Sequence, residues 1–117
     1  MDHQALLRQL YQAFNARQID AVLAHMHADV SWPNGWEGGY VRGHEEVRAY
    51  WLRQWGQIDP TVEPLGFETK PDGRIAIEVR QVIKASDGHL ISDSQLLHVY
   101  TFEDDKVRTM AIERIPV

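Results

Sequence analysis

Apolar residues recur at Leu6, Leu7, Leu10, Tyr11 and Phe14. That spacing makes one helical stripe and predicts a helix over 3–16, with Asp2 as its N-cap. Ile19, Val22, Leu23 and Met26 continue the pattern and predict a second helix over 19–27. Asp29 to Trp32 reads as a short strand, stopped by Pro33 and by the glycines at 35, 38 and 39. The loop there is rich in large side chains: Trp32, Trp36 and Tyr40. A third helix is expected over 44–56. Glu45 and Glu46 lie in its first turn, where acidic groups suit the helix dipole. Val47, Trp51 and Trp55 are spaced to share a face, bordered by Tyr50.

Beyond Asp59-Pro60 the hydrophobic period shortens to two. Val62 to Glu68 is a plausible strand, and Pro71-Asp72-Gly73 is a turn. Ile75, Ile77 and Val79 alternate with Ala76, Glu78 and Arg80, the pattern of a half-buried strand. Asp87-Gly88 signals a hairpin, with 90–102 as the return strand. A two-residue turn there pairs Val79 with Leu96, Ile77 with His98 and Ile75 with Tyr100. Facing residues share a side of the sheet. One side then carries Ile75, Ile77, Val79, Leu96, His98, Tyr100 and Phe102, and should meet the helices. The other carries Glu78, Arg80, Val82, Gln95, Leu97 and Val99, a mixture that a partner subunit would explain. After a turn at Glu103-Asp104-Asp105 the last strand is expected over 106–115. A three-residue turn pairs Phe102 with Lys106 and Met110 with His98, directing Met110, Ile112 and Arg114 inward. The expected class is α+β: three helices on one face of a mainly antiparallel sheet, in a single domain over 1–117.

Composition narrows the function. The net charge of −5 argues against sequence-independent nucleic-acid binding and against an anionic membrane surface. With no cysteine, a disulfide, a zinc–thiolate site and a Cys nucleophile are excluded. No apolar run approaches the roughly 18 residues of a membrane span, and the Met-Asp-His-Gln start has no signal-peptide pattern. A cytoplasmic protein is expected. No Gly-rich phosphate loop follows a strand, and no His-Glu-x-x-His run occurs. His25 and His27 do not share a helical face, so neither a cofactor nor a metal is expected.

The chain as a whole resembles the nuclear transport factor 2-like superfamily, in its SnoaL-like and ketosteroid-isomerase-like branch. The resemblance rests on the first-helix stripe ending in Tyr11 and Phe14, on Ile19-Asp20-Ala21-Val22-Leu23 and on Ala28-Asp29-Val30-Ser31-Trp32. Gly43-His44-Glu45-Glu46-Val47 and Tyr100-Thr101-Phe102-Glu103-Asp104-Asp105-Lys106-Val107 complete it. It implies a cone-shaped α+β barrel whose curved sheet and helices enclose a pocket, and a homodimer formed through the sheet face. Its members include isomerases, cyclases, hydrolases, dehydratases and non-catalytic binders. The ketosteroid isomerase site carries over poorly. Asn34 stands where the resemblance implies the Asp base, and His98 where it implies an oxyanion Asp. Leu10 stands at the helix-one Tyr, one residue and about 100° of helix rotation from Tyr11.

His98 remains the leading candidate for chemistry. It is either a core histidine satisfied by hydrogen bonds or a general base or donor facing a ligand. Arg114 would bind a carboxylate or oxyanion if inward, or else form a structural ion pair. Trp32 and Trp36 border the expected mouth, and together with Tyr11, Asn34, Trp55 and Tyr100 they complete the candidate ligand-binding set. Two functions fit. One is acid–base chemistry (isomerisation, cyclisation or hydration) on a small apolar organic molecule. The other is a non-catalytic ligand-binding or interaction module.

Overall fold

The computed structural model describes residues 2–114. Its elements are α1 (His3–Asn15), α2 (Ile19–Ala24), β1 (Met26–Pro33), β2 (Tyr40–Arg42) and α3 (Gly43–Trp55), followed by β3 (Ile58–Thr69), β4 (Ile75–Ala85), β5 (Leu90–Glu103) and β6 (Lys106–Glu113). The strands form one sheet in the order β2-β1-β6-β5-β4-β3. Every pairing is antiparallel except β1 with β6. The α+β cone expected from the sequence is present. Its sheet is open, with β2 and β3 as edges, and does not close into a barrel. No helix among the described residues is long and apolar enough to cross a membrane.

α1 starts as the sequence requires, with the Asp2 carboxylate accepting the Ala5 amide at 3.1 Å. α2 is shorter than predicted. Met26 extends its apolar pattern but opens β1 instead, because it pairs with Val107 of β6 and the His25 carbonyl accepts the Val107 amide at 2.9 Å. Tertiary pairing overrides local period here. β2 was not legible, since its three residues are too few to show alternation. α3 begins at Gly43, whose φ of 77° lies in the left-handed region. Glu46 reaches back to accept the Arg42 amide at 2.9 Å, so a side chain of the first turns satisfies the backbone at the helix start.

β3 is longer than predicted because it runs through Pro60 and Pro64. It is an edge strand, where a missing N–H costs no ladder bond. The β4–β5 pairs Val79–Leu96, Ile77–His98 and Ile75–Tyr100 form as expected. The turn itself is one residue longer, closed by the Ala85 amide on the His89 carbonyl at 2.9 Å. A bulge between the Ile83–Ser92 and Lys84–Leu90 pairs restores the register.

The β5–β6 turn is one residue shorter than predicted. Asp104 and Asp105, at φ 54° and 59°, make the tight turn, and Glu103 faces Lys106. A second irregularity follows, so Met110 faces Tyr100 and Ile112 faces His98. The net slip of two residues past that point keeps Met110 and Ile112 on their predicted side, whereas before it the slip is one and Phe102 faces Val107 instead of the predicted Lys106. β6 ends at Glu113, so Arg114 lies just past the strand and is exposed. Ile115, the predicted end of the strand, lies outside the described residues.

The core sits between the helices and the inner sheet face. Leu7, Leu10, Val22, Val47 and Trp51 pack there with Ile77, Val79, Tyr100 and Val107. The outer face keeps its mixed character. Val99 is buried, Val82 and Leu97 are half-buried, and Arg80 pairs with Asp93 at 2.6 Å.

Candidate functional site

Inward residues of β3, β4, β5 and β6 meet α1, α3 and the 33–36 segment around a cavity of about 100 Å³. Its apolar walls include Leu10, Phe14, Trp32, Trp51, Val62 and Met110. Trp36 and Ile112, half-buried and exposed respectively, stand on its outer side. Among the described residues its polar side chains are Tyr11, Tyr50, Gln54, Gln81 and His98, and no Asp, Glu, Lys or Arg lines it.

The first polar group is a relay of three buried side chains. Tyr11 Oη lies 2.8 Å from His98 Nδ1 and 2.7 Å from Tyr100 Oη. His98 is 5% exposed and Tyr100 is fully buried. Burial favours the neutral form of each group. It pushes His98 down to about 4 and raises both phenols above their ordinary value. At neutral pH the relay therefore holds a neutral imidazole and two protonated phenols.

The direction of the relay follows from its closed end. Tyr100 has Tyr11 as its sole hydrogen-bond partner among the described residues. If His98 Nδ1–H donated to Tyr11, the Tyr11 proton would pass to Tyr100 and leave the Tyr100 proton sealed without an acceptor. Such an orphan costs roughly 1–3 kcal/mol. If Tyr11 accepted from both neighbours, its own proton would be left for a ligand to take up; with Tyr100 donating to Tyr11 and Tyr11 donating to Nδ1, both phenol protons are bonded within the protein itself. The His98 proton then sits on Nε2. Among the described residues that nitrogen takes no protein partner, and it is not among their fully sealed unpartnered atoms. It meets the cavity as a donor.

The second polar group lies on α3, one turn apart. Gln54 Nε2 donates to Tyr50 Oη at 3.0 Å, and both side chains are buried. Sequence reading placed Tyr50 only at the border of the helix face and missed Gln54. The signal was present: Gln54 is four residues from Tyr50 and three from Trp51, hence on their face.

Of the predicted site residues, the structure brings His98, Tyr11, Trp32 and Trp36 together around the cavity. The one-residue offset of Tyr11 does not turn it away, and Leu10 lines the cavity beside it. The other four do not line it. Tyr100 is sealed behind Tyr11. Trp55 stacks on Trp51 at 5.8 Å, and the Arg17 guanidinium lies 5.0 Å over its ring. Asn34 spends its amide inside its own loop. Its Oδ1 accepts the Trp36 and Glu37 amides at 3.2 and 2.7 Å, and its Nδ2 donates to Glu37 at 2.9 Å. Arg114 is exposed beyond β6.

One cluster of metal-ligating types lies elsewhere: His27, Glu103 and Asp104. His27 Nδ1 accepts the Asp29 amide at 3.0 Å, which puts the ring proton on Nε2, 3.0 Å from Glu103. A nitrogen that carries a proton cannot ligate a metal, so this is a hydrogen-bonded pair.

The sequence model of the SnoaL-like domain family matches residues 7–110. No curated protein matches the chain by sequence. Among solved structures, a nuclear transport factor 2-like protein of unknown function from Burkholderia pseudomallei is similar at 24% identity and TM-score 0.84, over 98% of this chain and 92% of that one. TerC co-crystallised with polyporic acid is similar at 21% identity and TM-score 0.84, with the same coverage. A Mycobacterium tuberculosis protein in complex with estradiol-17β-hemisuccinate is similar at 17% identity and TM-score 0.79, over 92% of this chain and 88% of that one. At these identities the likeness is one of fold.

Proposed function

The chain belongs to the SnoaL-like domain family, and on that premise we propose that its cavity binds a small, largely apolar organic molecule by an oxygen that accepts the His98 Nε2–H. The observation that carries this reading is the one-way relay from Tyr100 through Tyr11 to His98, which ends in a donor facing an apolar space. The organic molecules held by two proteins of similar fold support it.

Binding and polarisation are favoured over proton abstraction. With His98 pushed down to about 4, the ring is a weak base. Among the described residues no carboxylate on the lining can take that role instead. An isomerase, cyclase or hydratase would have to draw its base from the ligand or from water. A closed apolar cavity of roughly 150 Å³ holds benzene. The smaller space here encloses only part of a ring, so a one-ring ligand extends beyond it on the outer side, where Trp36 and Ile112 stand.

Acetophenone and its hydrocarbon isostere α-methylstyrene test the reading. Calorimetric titration should show the ketone binding roughly threefold to tenfold tighter, the worth of one net hydrogen bond. His98→Phe should remove that preference. Equal affinities for the two probes in the wild type would refute the role of His98.

The mixed outer sheet face belongs to the same proposal. Val82, Leu97 and Val99 on that face suit a second copy of the chain, giving a homodimer.

A further inference from the structure

Gln54 is 7% exposed, on the helical wall of the cavity. One of its two amide atoms bonds Tyr50 at 3.0 Å. The other has no protein partner among the described residues. It is also not sealed, because among those residues the wholly buried, unpartnered side-chain atom is Trp55 Nε1. Gln54 lines the cavity, so its free amide atom is open to a molecule bound there. This holds in either amide orientation, since turning the amide exchanges which atom bonds Tyr50 and which is free.

Gln54 comes from α3 and His98 from β5, on the helical and sheet walls of the same space. Apolar side chains such as Phe14, Trp32, Trp51 and Val62 fill the lining around them. Gln81, the other lining amide, is half-buried on β4 rather than enclosed. We infer that Gln54 is a specificity-determining residue, selecting ligands that carry a hydroxyl in addition to the oxygen held by His98. This rests on the proposed role of the cavity.

The chemistry of the hydroxyl follows from the amide. A hydroxyl both donates and accepts, so it satisfies whichever atom Gln54 presents. The group should be neutral. Among the described residues the lining offers no cation to pair with a carboxylate and no anion to pair with an amine, and an unpaired charge in such a space is strongly disfavoured. The ligand class is thus a neutral hydroxy-ketone of about one ring, reaching from sheet wall to helix wall.

Acetophenone and its meta- and para-hydroxy derivatives test this at about pH 6.5, where the probes are neutral and so is a buried His98. One hydroxylated isomer should bind the wild type roughly fivefold to tenfold tighter than acetophenone. In Gln54→Met, which keeps the length of the side chain, that ratio should fall to about one. Gln54→Leu serves as a second variant if the first folds poorly. A hydroxyl advantage that is absent in the wild type, or that persists in both variants, overturns the inference while leaving the His98 reading intact. If acetophenone and α-methylstyrene bind equally while a hydroxylated isomer binds tighter through Gln54, the selection of a hydroxyl by Gln54 stands and the His98 reading falls. If no probe binds, both fall.

Discussion

Asn34 and Glu37 are bonded head to tail across the loop that carries Trp36. The Asn34 amide donates to the Glu37 carboxylate at 2.9 Å, while its oxygen accepts the Glu37 backbone amide at 2.7 Å. Arg53 of α3 holds the same carboxylate at 2.8 Å, and these contacts keep Glu37 below the usual carboxylate range. An aspartate at position 34 would not restore a catalytic base. It would set two carboxylates against each other and remove the donor. Asn34→Asp should therefore lower stability by roughly 1–3 kcal/mol. The double variant Asn34→Asp with Glu37→Gln exchanges donor and acceptor and should recover most of the loss. Urea melts of the four proteins in this cycle measure it. A double variant no more stable than Asn34→Asp alone would show that the pair does not organise the loop.

His98 makes stability depend on pH. Its folded value of about 4 lies below the ordinary 6.5. As pH falls through 6.5, the unfolded chain takes the proton first. The contribution is complete above that pH and is lost progressively down to about 4, a loss of roughly 3 kcal/mol. His25, also lowered by burial, adds in the same direction. Chemical denaturation at several pH values should show this slope in the wild type and most of it gone in His98→Gln. Parallel slopes in the two proteins would place the ring in water rather than in the core.

The four tryptophans should report differently on a bound ligand. Trp36 and Trp32 line the cavity, whereas Trp55 is walled off against Phe14 and Arg17. Acetophenone should quench the protein's emission. Trp36→Phe should remove a large share of that quenching, and Trp55→Phe should leave it in place. Quenching that vanishes with Trp55 would mean that the ligand binds elsewhere.

The proposed homodimer predicts twice the chain mass in sedimentation at micromolar concentration. Leu97→Lys, on the outer sheet face, should shift the population to monomer with little change in melting of the isolated chain. A strict monomer in the wild type removes the second copy and leaves the face without an explanation.

The sequence carried more of the β4–β5 hairpin than of the site. Strict alternation at Ile75, Ile77 and Val79 fixed which residues face the helices, and the pairing of His98 with Ile77 followed. It survived a wrong turn length because the bulge near Ile91 compensated it. The β5–β6 register did not hold, but Met110 and Ile112 kept their inward side because the slip there is two residues rather than one. The site depended on contacts that periodicity does not encode. Nothing in the order of residues says that Asn34 will bond its own loop, or that Tyr100 will lie behind Tyr11 rather than beside it. Arg114 failed because the strand ends one residue before it. Gln54 was missed because reading for apolar faces passes over a polar residue that a helix turns inward.

The parallel seam between β1 and β6 bears on how the chain reaches this state. β6 lies in the interior of the sheet, with the β1–β2 pair on one side and the β3–β5 meander on the other. Met26 must find Val107, 81 positions further along the chain, before these two halves become one sheet. Local hairpins can zip early, but this junction carries the loop-closure entropy of everything between. The cavity lies across the same junction, with Trp32 from β1 and Met110 from β6 on its walls. Ligand-binding competence should thus appear at the slowest step of folding, after most of the secondary structure is already in place.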